Sequence, residues 1–114
     1  MGYDTVHRSE VESVVPEEYG GMWFLKDALG ASGLGLSILE LEPDAKGKEH
    51  DHSGGGQEEI YYIVEGTVDI ELDDETVTLA DGDAIRLDPE QTRQIHSHGD
   101  MRATLVLAGT SLDE

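Results

Sequence analysis

The stretch EHDHSGGGQEEIYYIVEG, from Glu49 to Gly66, decides the interpretation of this sequence. Its two histidines, His50 and His52, are followed by a glycine-rich loop, a pair of glutamates and an apolar segment that ends at glycine. Residues i and i+2 of a strand project to the same face, so both imidazoles can reach one metal ion. Two histidines beside an acidic loop also arise by chance, so the pair alone does not establish a site.

A carboxylate from the neighbouring strand can supply a third metal ligand. Glu59 opens that strand, after a loop long enough to reverse the chain. Two histidines and one carboxylate with open positions are the ligand set of non-haem iron sites, and the same set serves zinc and manganese. The residues therefore predict a metal site at His50, His52 and Glu59.

The rest of the chain is predicted to form short strands separated by turn residues. Residues 67–73, TVDIELD, alternate apolar and acidic side chains, which predicts a strand with one buried face. Residues 59–65, EIYYIVE, are apolar on both parities, which predicts a strand buried on both faces. Further strand segments are GMWFL, LGLSILELEP, TVTL, AIRL, TRQIH and MRATLVLAG. Strands about ten residues apart, with Gly, Asp and Pro turns, predict an all-β antiparallel sandwich or barrel.

The chain of 114 residues fits one domain. Its polar first twenty residues predict an N-terminal arm over residues 1–20, and the strand segments predict a barrel domain over residues 21–112. No apolar run predicts a membrane span, and no signal peptide precedes the first charged residues. We therefore expect a soluble protein of the cytoplasm.

The composition excludes several functions. The chain has 26 acidic and 7 basic residues, a net charge of -19 and no cysteine. Nucleic acids and anionic membranes are poor partners for it, because phosphate binding needs clustered Lys and Arg. Disulfides and thiolate metal sites are excluded by the missing cysteine. The composition is similar to that of cytosolic proteins of extreme halophiles, with an ordinary acidic protein as the alternative.

The segment from Gly47 to Gly66 resembles the first motif of the cupin superfamily, G-x5-H-x-H-x3,4-E-x6-G. Counted back from Gly66, the six-residue gap ends at Glu59 rather than at Glu58. In two respects the segment departs from the motif. Gly47 lies too close to the first histidine, and six residues rather than three or four separate the second histidine from Glu59. The extra length falls in the glycine run, where a loop grows at small entropic cost.

Residues 82–97, GDAIRLDPEQTRQIHS, resemble the second cupin motif, G-x5-P-x-G-x2-H-x3-N. Here Glu90 replaces the second glycine of the motif, and Ser97 replaces the asparagine. Arg93 replaces the histidine that is the usual fourth metal ligand of the family. The resemblance covers residues 33–109. It implies a double-stranded β-helix, or jelly-roll, barrel with one divalent metal ion (Fe, Mn, Zn or Ni), a small-molecule ligand and a homodimer.

Parity predicts the direction of Arg93. It shares the face of Ile95, which is expected to face the core, so its side chain should point into the barrel. His96 then points outward and His98 lies in the following turn. Both are interpreted as surface histidines rather than replacement ligands.

A buried arginine keeps its charge and needs a carboxylate partner. Arg93 could pair permanently with Glu59 or Glu58, which would weaken the metal site. It could instead stand beside a three-ligand metal and clamp the carboxylate of a substrate with its forked donors. Tyr61 shares the parity of Glu59 and is expected either to line the same cavity or to serve as a core aromatic.

These residues leave three hypotheses for function. The first is a metal-binding cupin with a site inside the barrel for a small molecule, anionic where Arg93 contacts it, and with its reaction undefined. The second is a non-catalytic ligand-binding or sensing cupin with a degenerate or metal-free site. The third is a metal-free structural dimer. Fold does not decide among them, and whether the protein is an enzyme stays open.

Overall fold

The computed structural model describes residues 2–43, 57–98 and 101–111. Apart from two short 3-10 turns, Arg8–Glu10 and Glu17–Tyr19, the regular structure in these residues is β-strand. The strands are β1 (Gly20–Phe24), β2 (Leu34–Leu41), β3 (Gln57–Glu65), β4 (Thr67–Glu71), β5 (Thr76–Ala80), β6 (Ala84–Leu87), β7 (Gln94–Ser97) and β8 (Ala103–Ser111). Each coincides with a predicted strand segment to within two residues at either end. Within the described residues, no helix is long and apolar enough to cross a membrane.

The strands form two antiparallel sheets, which confirms the predicted all-β jelly-roll architecture. A five-stranded sheet has the order β1-β2-β8-β3-β6, and a three-stranded sheet has the order β5-β4-β7. The chain passes from one sheet to the other between β3 and β4, at Gly66. Gly66 has φ of +97°, and a Cβ there would approach the carbonyl oxygen of Arg102 to 2.6 Å. Only glycine fits this position, which explains why the quoted stretch ends in one.

The core lies between the two sheets. On β4, Val68 and Ile70 are fully buried, while Asp69 and Glu71 point outward, as the alternating pattern predicts. Burial of one such aliphatic side chain stabilises the fold by about 1.5–3 kcal/mol. The buried hydrophobic cluster contains Leu39, Leu41, Tyr61, Ile63, Val68, Ile70, Leu87, Ile95, Ala103, Leu105 and Leu107.

Strand β3 corrects one prediction. Tyr61 and Ile63 are fully buried between the sheets, but Ile60, Tyr62 and Val64 are 48%, 46% and 48% exposed. The expectation that both faces of this strand are buried is therefore wrong. A continuous apolar run shows that both faces of a strand carry apolar side chains. It does not show which face is buried against the rest of the same chain.

The N-terminal arm packs on the β1 edge of the larger sheet. The guanidinium of Arg8 lies 4.3 Å from the centre of the Trp23 ring, and its Nη1 is 2.9 Å from a carboxylate oxygen of Glu40. The backbone N–H of Val14 donates to the carbonyl oxygen of Met22. These contacts hold the arm against β1 and β2 of its own chain.

Candidate functional site

The pleat of β3 separates two adjacent glutamates. Glu59 shares the inward face of Tyr61, and the Tyr61 hydroxyl donates a hydrogen bond of 3.1 Å to Oε1 of Glu59. Glu58 lies on the outer face, where its Oε2 is 3.1 Å from Nη1 of Arg86. The predicted choice of Glu59 as the inward carboxylate agrees with this geometry.

Arg93 lies inside the barrel, as its parity predicts, and its side chain is fully buried. Its Nη2 donates to the carbonyl oxygen of Asp88 over 2.7 Å. Its Nη1 lies 3.8 Å from Oε1 of Glu59, close enough for charge attraction and too far for a hydrogen bond. Among the described residues, neither Nε nor Nη1 has a hydrogen-bond partner. The guanidinium therefore directs two unused donors into the interior.

Burial, together with the negative charge of Glu59, keeps Tyr61 protonated. Burial raises the pKa of Tyr61 because it disfavours the phenolate, and the negative charge of Glu59 raises it further. The positive charge of Arg93 acts in the opposite direction but offsets only part of this increase in the pKa. At neutral pH the Tyr61 hydroxyl is thus a hydrogen-bond donor that holds the Glu59 carboxylate in place.

Two glycines lie in the same row of the sheet as Glu59. In the sheet register, Glu59 lies between Leu87 on β6 and Gly109 on β8, and Gly109 pairs with Gly35 on β2. A Cβ at Gly35 would meet the carbonyl oxygen of Gly109 at 3.5 Å, an ordinary van der Waals distance. Two neighbouring positions of this inward row thus carry no side chain.

The predicted metal ligands are described only in part, since His50 and His52 lie outside the described residues. Within residues 2–43, 57–98 and 101–111, no three His, Asp or Glu side chains form a metal-binding group. That finding does not bear on the triad, because only Glu59 of its three members falls in those ranges. The two histidines and Glu59, which Tyr61 orients, are ligand types that bind divalent metals. The Arg93 cation beside Glu59 weakens the attraction for a second cation.

His96 and His98 lie on the outer face of the three-stranded sheet. Nδ1 of His96 is 3.3 Å from Glu71, and Nδ1 of His98 is 2.9 Å from Asp69. Their interpretation as outward-facing surface residues agrees with the structure. A hydrogen bond from His98, followed by one from the Thr78 hydroxyl, lowers the pKa of the Asp69 carboxyl.

Two parts of the site could not be predicted from residue types. The carbonyl oxygen of Asp88 accepts a hydrogen bond from Arg93. The direction of a backbone carbonyl in a turn cannot be predicted from the residue types there. The glycine pair at positions 35 and 109 is visible only once β2 and β8 are in register. The Asp88–Pro89 turn signal was the one available hint of backbone groups near Arg93.

Two facing antiparallel sheets that enclose Arg93 and most of Glu59 define a small β-barrel with charged groups in its interior. The profile of the family described as Cupin domain matches residues 37–109, well over half of the chain. The chain belongs to the cupin family, whose members are often metal-dependent enzymes or binding proteins. A search of curated proteins finds no match.

Solved structures show the same fold. A cupin protein from Bacteroides fragilis is 26% identical, with a TM-score of 0.78, over 100% of this chain and 88% of that one. A predicted oxalate decarboxylase from Thermotoga maritima is 22% identical, with a TM-score of 0.77, over 96% of this chain and 100% of that one. A cupin-superfamily sugar phosphate isomerase from Silicibacter pomeroyi is 23% identical, with a TM-score of 0.74, over 94% of this chain and 75% of that one.

Proposed function

We propose that this protein binds a small anionic molecule inside its barrel, beside a divalent metal ion held by His50, His52 and Glu59. The observation that carries the proposal is the fully buried Arg93, whose Nε and Nη1 have no hydrogen-bond partner among the described residues. Each buried unsatisfied donor costs about 1–3 kcal/mol, and more when it is charged. Such a group is retained where a ligand completes its hydrogen bonds.

An oxyanion matches the needs of this arginine. The Asp88 carbonyl uses only one of its five N–H groups, and Glu59 at 3.8 Å contributes charge without a hydrogen bond. Carboxylate and phosphate oxygens form the strongest hydrogen bonds that guanidinium makes. Such a ligand would lie next to Glu59, along the side-chain-free positions Gly35 and Gly109.

The chain's own residues have distinct parts in this site. Arg93 binds and orients the anionic group, and its buried surroundings strengthen that attraction by excluding water. Tyr61 donates to Glu59 and keeps this carboxylate turned toward the interior. A divalent metal at His50, His52 and Glu59 would supply a Lewis acid for oxygen atoms of the ligand.

A metal-free binding or sensing protein is the second candidate, and one observation favours it. Glu59 accepts a hydrogen bond from Tyr61 and lies 3.8 Å from the Arg93 cation, so this carboxylate is already engaged by internal partners. Arg93 would bind an anion in this case as well. Two structural neighbours are named for sugar phosphate and oxalate chemistry, but at 23% and 22% identity their likeness shows the fold alone.

Elemental analysis of protein purified without a His tag tests the metal. After supplementation with Fe, Mn, Ni and Zn, we expect near-stoichiometric metal that is lost in folded His50→Ala and Glu59→Gln variants. The control Glu58→Gln removes the outward neighbour and should keep the metal. Absence of metal from the supplemented wild type would exclude the first candidate and leave the metal-free one.

We also propose that the protein is a homodimer of the cytoplasm adapted to high salt. The net charge of -19 makes the chain repel itself, and salt screens such repulsion between exposed charges. The free energy of unfolding should therefore rise between dilute buffer and molar salt. Urea titrations at several salt concentrations measure it, and a constant value would contradict salt adaptation.

A further inference from the structure

The ion pair inside the barrel is open, whereas the pair beside it on the outer face is closed. Nη1 of Arg93 lies 3.8 Å from Oε1 of Glu59, and this nitrogen has no hydrogen-bond partner among the described residues. On the outer face, Arg86 donates to Glu58 over 3.1 Å and to Asp88 over 2.6 Å. The inner guanidinium therefore attracts its carboxylate by charge, without a hydrogen bond between Nη1 and Oε1.

Separate hydrogen bonds position the two inner charges. Nη2 of Arg93 donates to the carbonyl oxygen of Asp88 over 2.7 Å, so an uncharged group holds the arginine. Oε1 of Glu59, the oxygen that faces Arg93, accepts from the Tyr61 hydroxyl over 3.1 Å. The two charges are thus held close to each other by groups other than each other, and each is felt at the position of its neighbour.

Each member of this pair repels a ligand of the other. An anion that accepts from Nε and Nη1 of Arg93 lies near the Glu59 carboxylate, which carries the same sign of charge. A cation bound at Glu59 lies near the Arg93 guanidinium in the same way. Arg93 is fully buried and Glu59 is 13% exposed, so water and salt screen these charges less than they screen a surface pair. The repulsion therefore lowers the affinity of the interior for an anion alone and for a metal alone.

Two ligands of opposite charge remove both repulsions. A divalent metal at Glu59 neutralises the carboxylate that opposes the anion, and an anion at Arg93 neutralises the guanidinium that opposes the metal. By linkage, the factor by which the metal raises the affinity for the anion equals the factor by which the anion raises the affinity for the metal. Couplings between two binding sites are ordinarily about 5- to 150-fold.

We propose that Glu59 opposes anion binding at Arg93, that Arg93 opposes metal binding at Glu59, and that a metal and an anion therefore bind the interior cooperatively. The inference rests on the proposed function, from which it takes both ligands. In the absence of both, the Arg93–Glu59 pair is the internal substitute for them: the arginine stands in for the metal and the glutamate for the anion.

Calorimetric titration of acetate, malonate and inorganic phosphate into metal-free protein tests the effect of Glu59. Glu59→Gln keeps the shape of the side chain and removes its charge, so these anions should bind about tenfold more tightly than to wild type, or better. Glu58→Gln removes a carboxylate from the outer face and should bind like wild type. Circular dichroism establishes that each variant is folded.

Zinc titration against a chromophoric chelator, in buffer without these anions, tests the effect of Arg93. Arg93→Met removes the positive charge from a side chain of similar length, so zinc should bind about tenfold more tightly than to wild type, or better. Arg86→Met is the matched change on the outer face and should bind zinc like wild type. An arginine that only supported the fold would give the opposite result, since its loss would loosen the site and weaken zinc binding.

Either half of the proposal can be overturned. Anions that bind folded Glu59→Gln no more tightly than wild type, or zinc that binds folded Arg93→Met no more tightly, would exclude the cooperativity. If one variant does not fold, the other decides. If neither folds, acetate should bind zinc-loaded wild type about tenfold more tightly than metal-free wild type, and equal binding would overturn the proposal.

Failure of the proposed function gives a different result. If neither wild type nor Glu59→Gln binds any of the three anions, the anion site is excluded and the cooperativity with it. If neither wild type nor Arg93→Met binds zinc, the metal site is excluded in the same way. Binding that is present in wild type but unchanged in the variants would keep both sites and exclude only their coupling.

Discussion

Glu58 and Glu59 are adjacent in sequence, and each lies near an arginine, but their surroundings differ. Glu58 pairs with Arg86 at 3.1 Å, and both side chains are well exposed, at 38% and 54%. Glu59 lies 3.8 Å from Arg93, with exposures of 13% and 0%. The shorter pair is on the surface, and the longer one is buried.

The side of the strand on which a glutamate lies, more than its distance from an arginine, decides how much the ion pair contributes to stability. Water and salt screen Arg86 and Glu58, so their pair contributes little to stability. Arg93 is fully buried and Glu59 is mostly buried, so removal of either leaves a poorly compensated charge in the interior. Nε and Nη1 of Arg93 also lack a hydrogen-bond partner among the described residues, and the proposed anion site rests on these two atoms.

Arg93→Ala should have the largest effect. It leaves Glu59 buried without its cation, so the free energy of unfolding should fall by about 3–5 kcal/mol. Arg86→Ala is the matched control on the outer face and should leave the urea midpoint unchanged. Equal losses in the two variants would mean that the inner and outer pairs do not differ.

The double variant Glu59→Leu/Arg93→Met should recover most of that loss. Replacing a buried ion pair by apolar side chains of similar size is often neutral or stabilising, by about 1–4 kcal/mol. Urea denaturation measures the recovery, and calorimetry should show that ligand binding is abolished. A double variant as unstable as Arg93→Ala would indicate that the pair serves the fold rather than a ligand.

Tyr61→Phe should have a smaller effect, since the ring remains and only the hydroxyl donor to Glu59 is lost. A hydrogen bond to a charged group contributes about 1.5–3 kcal/mol, and urea denaturation measures its loss. Tyr62→Phe removes the hydroxyl one residue further, on the outer face, and should leave stability unchanged. If both variants behave alike, the Tyr61 contact does not hold Glu59.

The smallest effect concerns pH and the outer face of the other sheet. Hydrogen bonds from His98 and Thr78 lower the pKa of Asp69, so the unfolded chain binds this proton more readily than the folded one. The resulting stabilisation is present above the unfolded pKa of about 3.9 and is lost as pH falls through the lower folded value. Asp69→Asn should make the acid decline of the unfolding free energy slightly shallower, with Thr78→Val intermediate. An unchanged decline would contradict a stabilising role.

Much of the fold was predictable because local pattern and tertiary position agree. In TVDIELD, the alternation puts Val68 and Ile70 in the core of β4. Counting back from Gly66 selects Glu59, and in the structure Glu59 shares the inward face of Tyr61, whose hydroxyl donates to it. Parity likewise placed Arg93 inside.

The remainder depends on contacts that pattern does not encode. The apolar residues Ile60, Tyr62 and Val64 showed no sign of which surface covers them, and the expectation of burial failed. Arg93 had two possible carboxylate partners in the sequence, and only the register of the sheet brings Glu59 to its side. The unpartnered Nε and Nη1 follow from the position of the Asp88 carbonyl, which is a property of the turn.

Calorimetric titration of acetate, malonate and inorganic phosphate into the protein tests the role of Arg93 most directly. Wild type should bind at least one of these anions saturably. Arg93→Lys should weaken that binding by tenfold or more, about 1.4 kcal/mol, because an ammonium lacks the fork of the guanidinium. Arg86→Lys, the same change on the outer face, should bind like wild type. No binding by wild type, with or without added metal, or equal binding by Arg93→Lys, would contradict an anion site at Arg93.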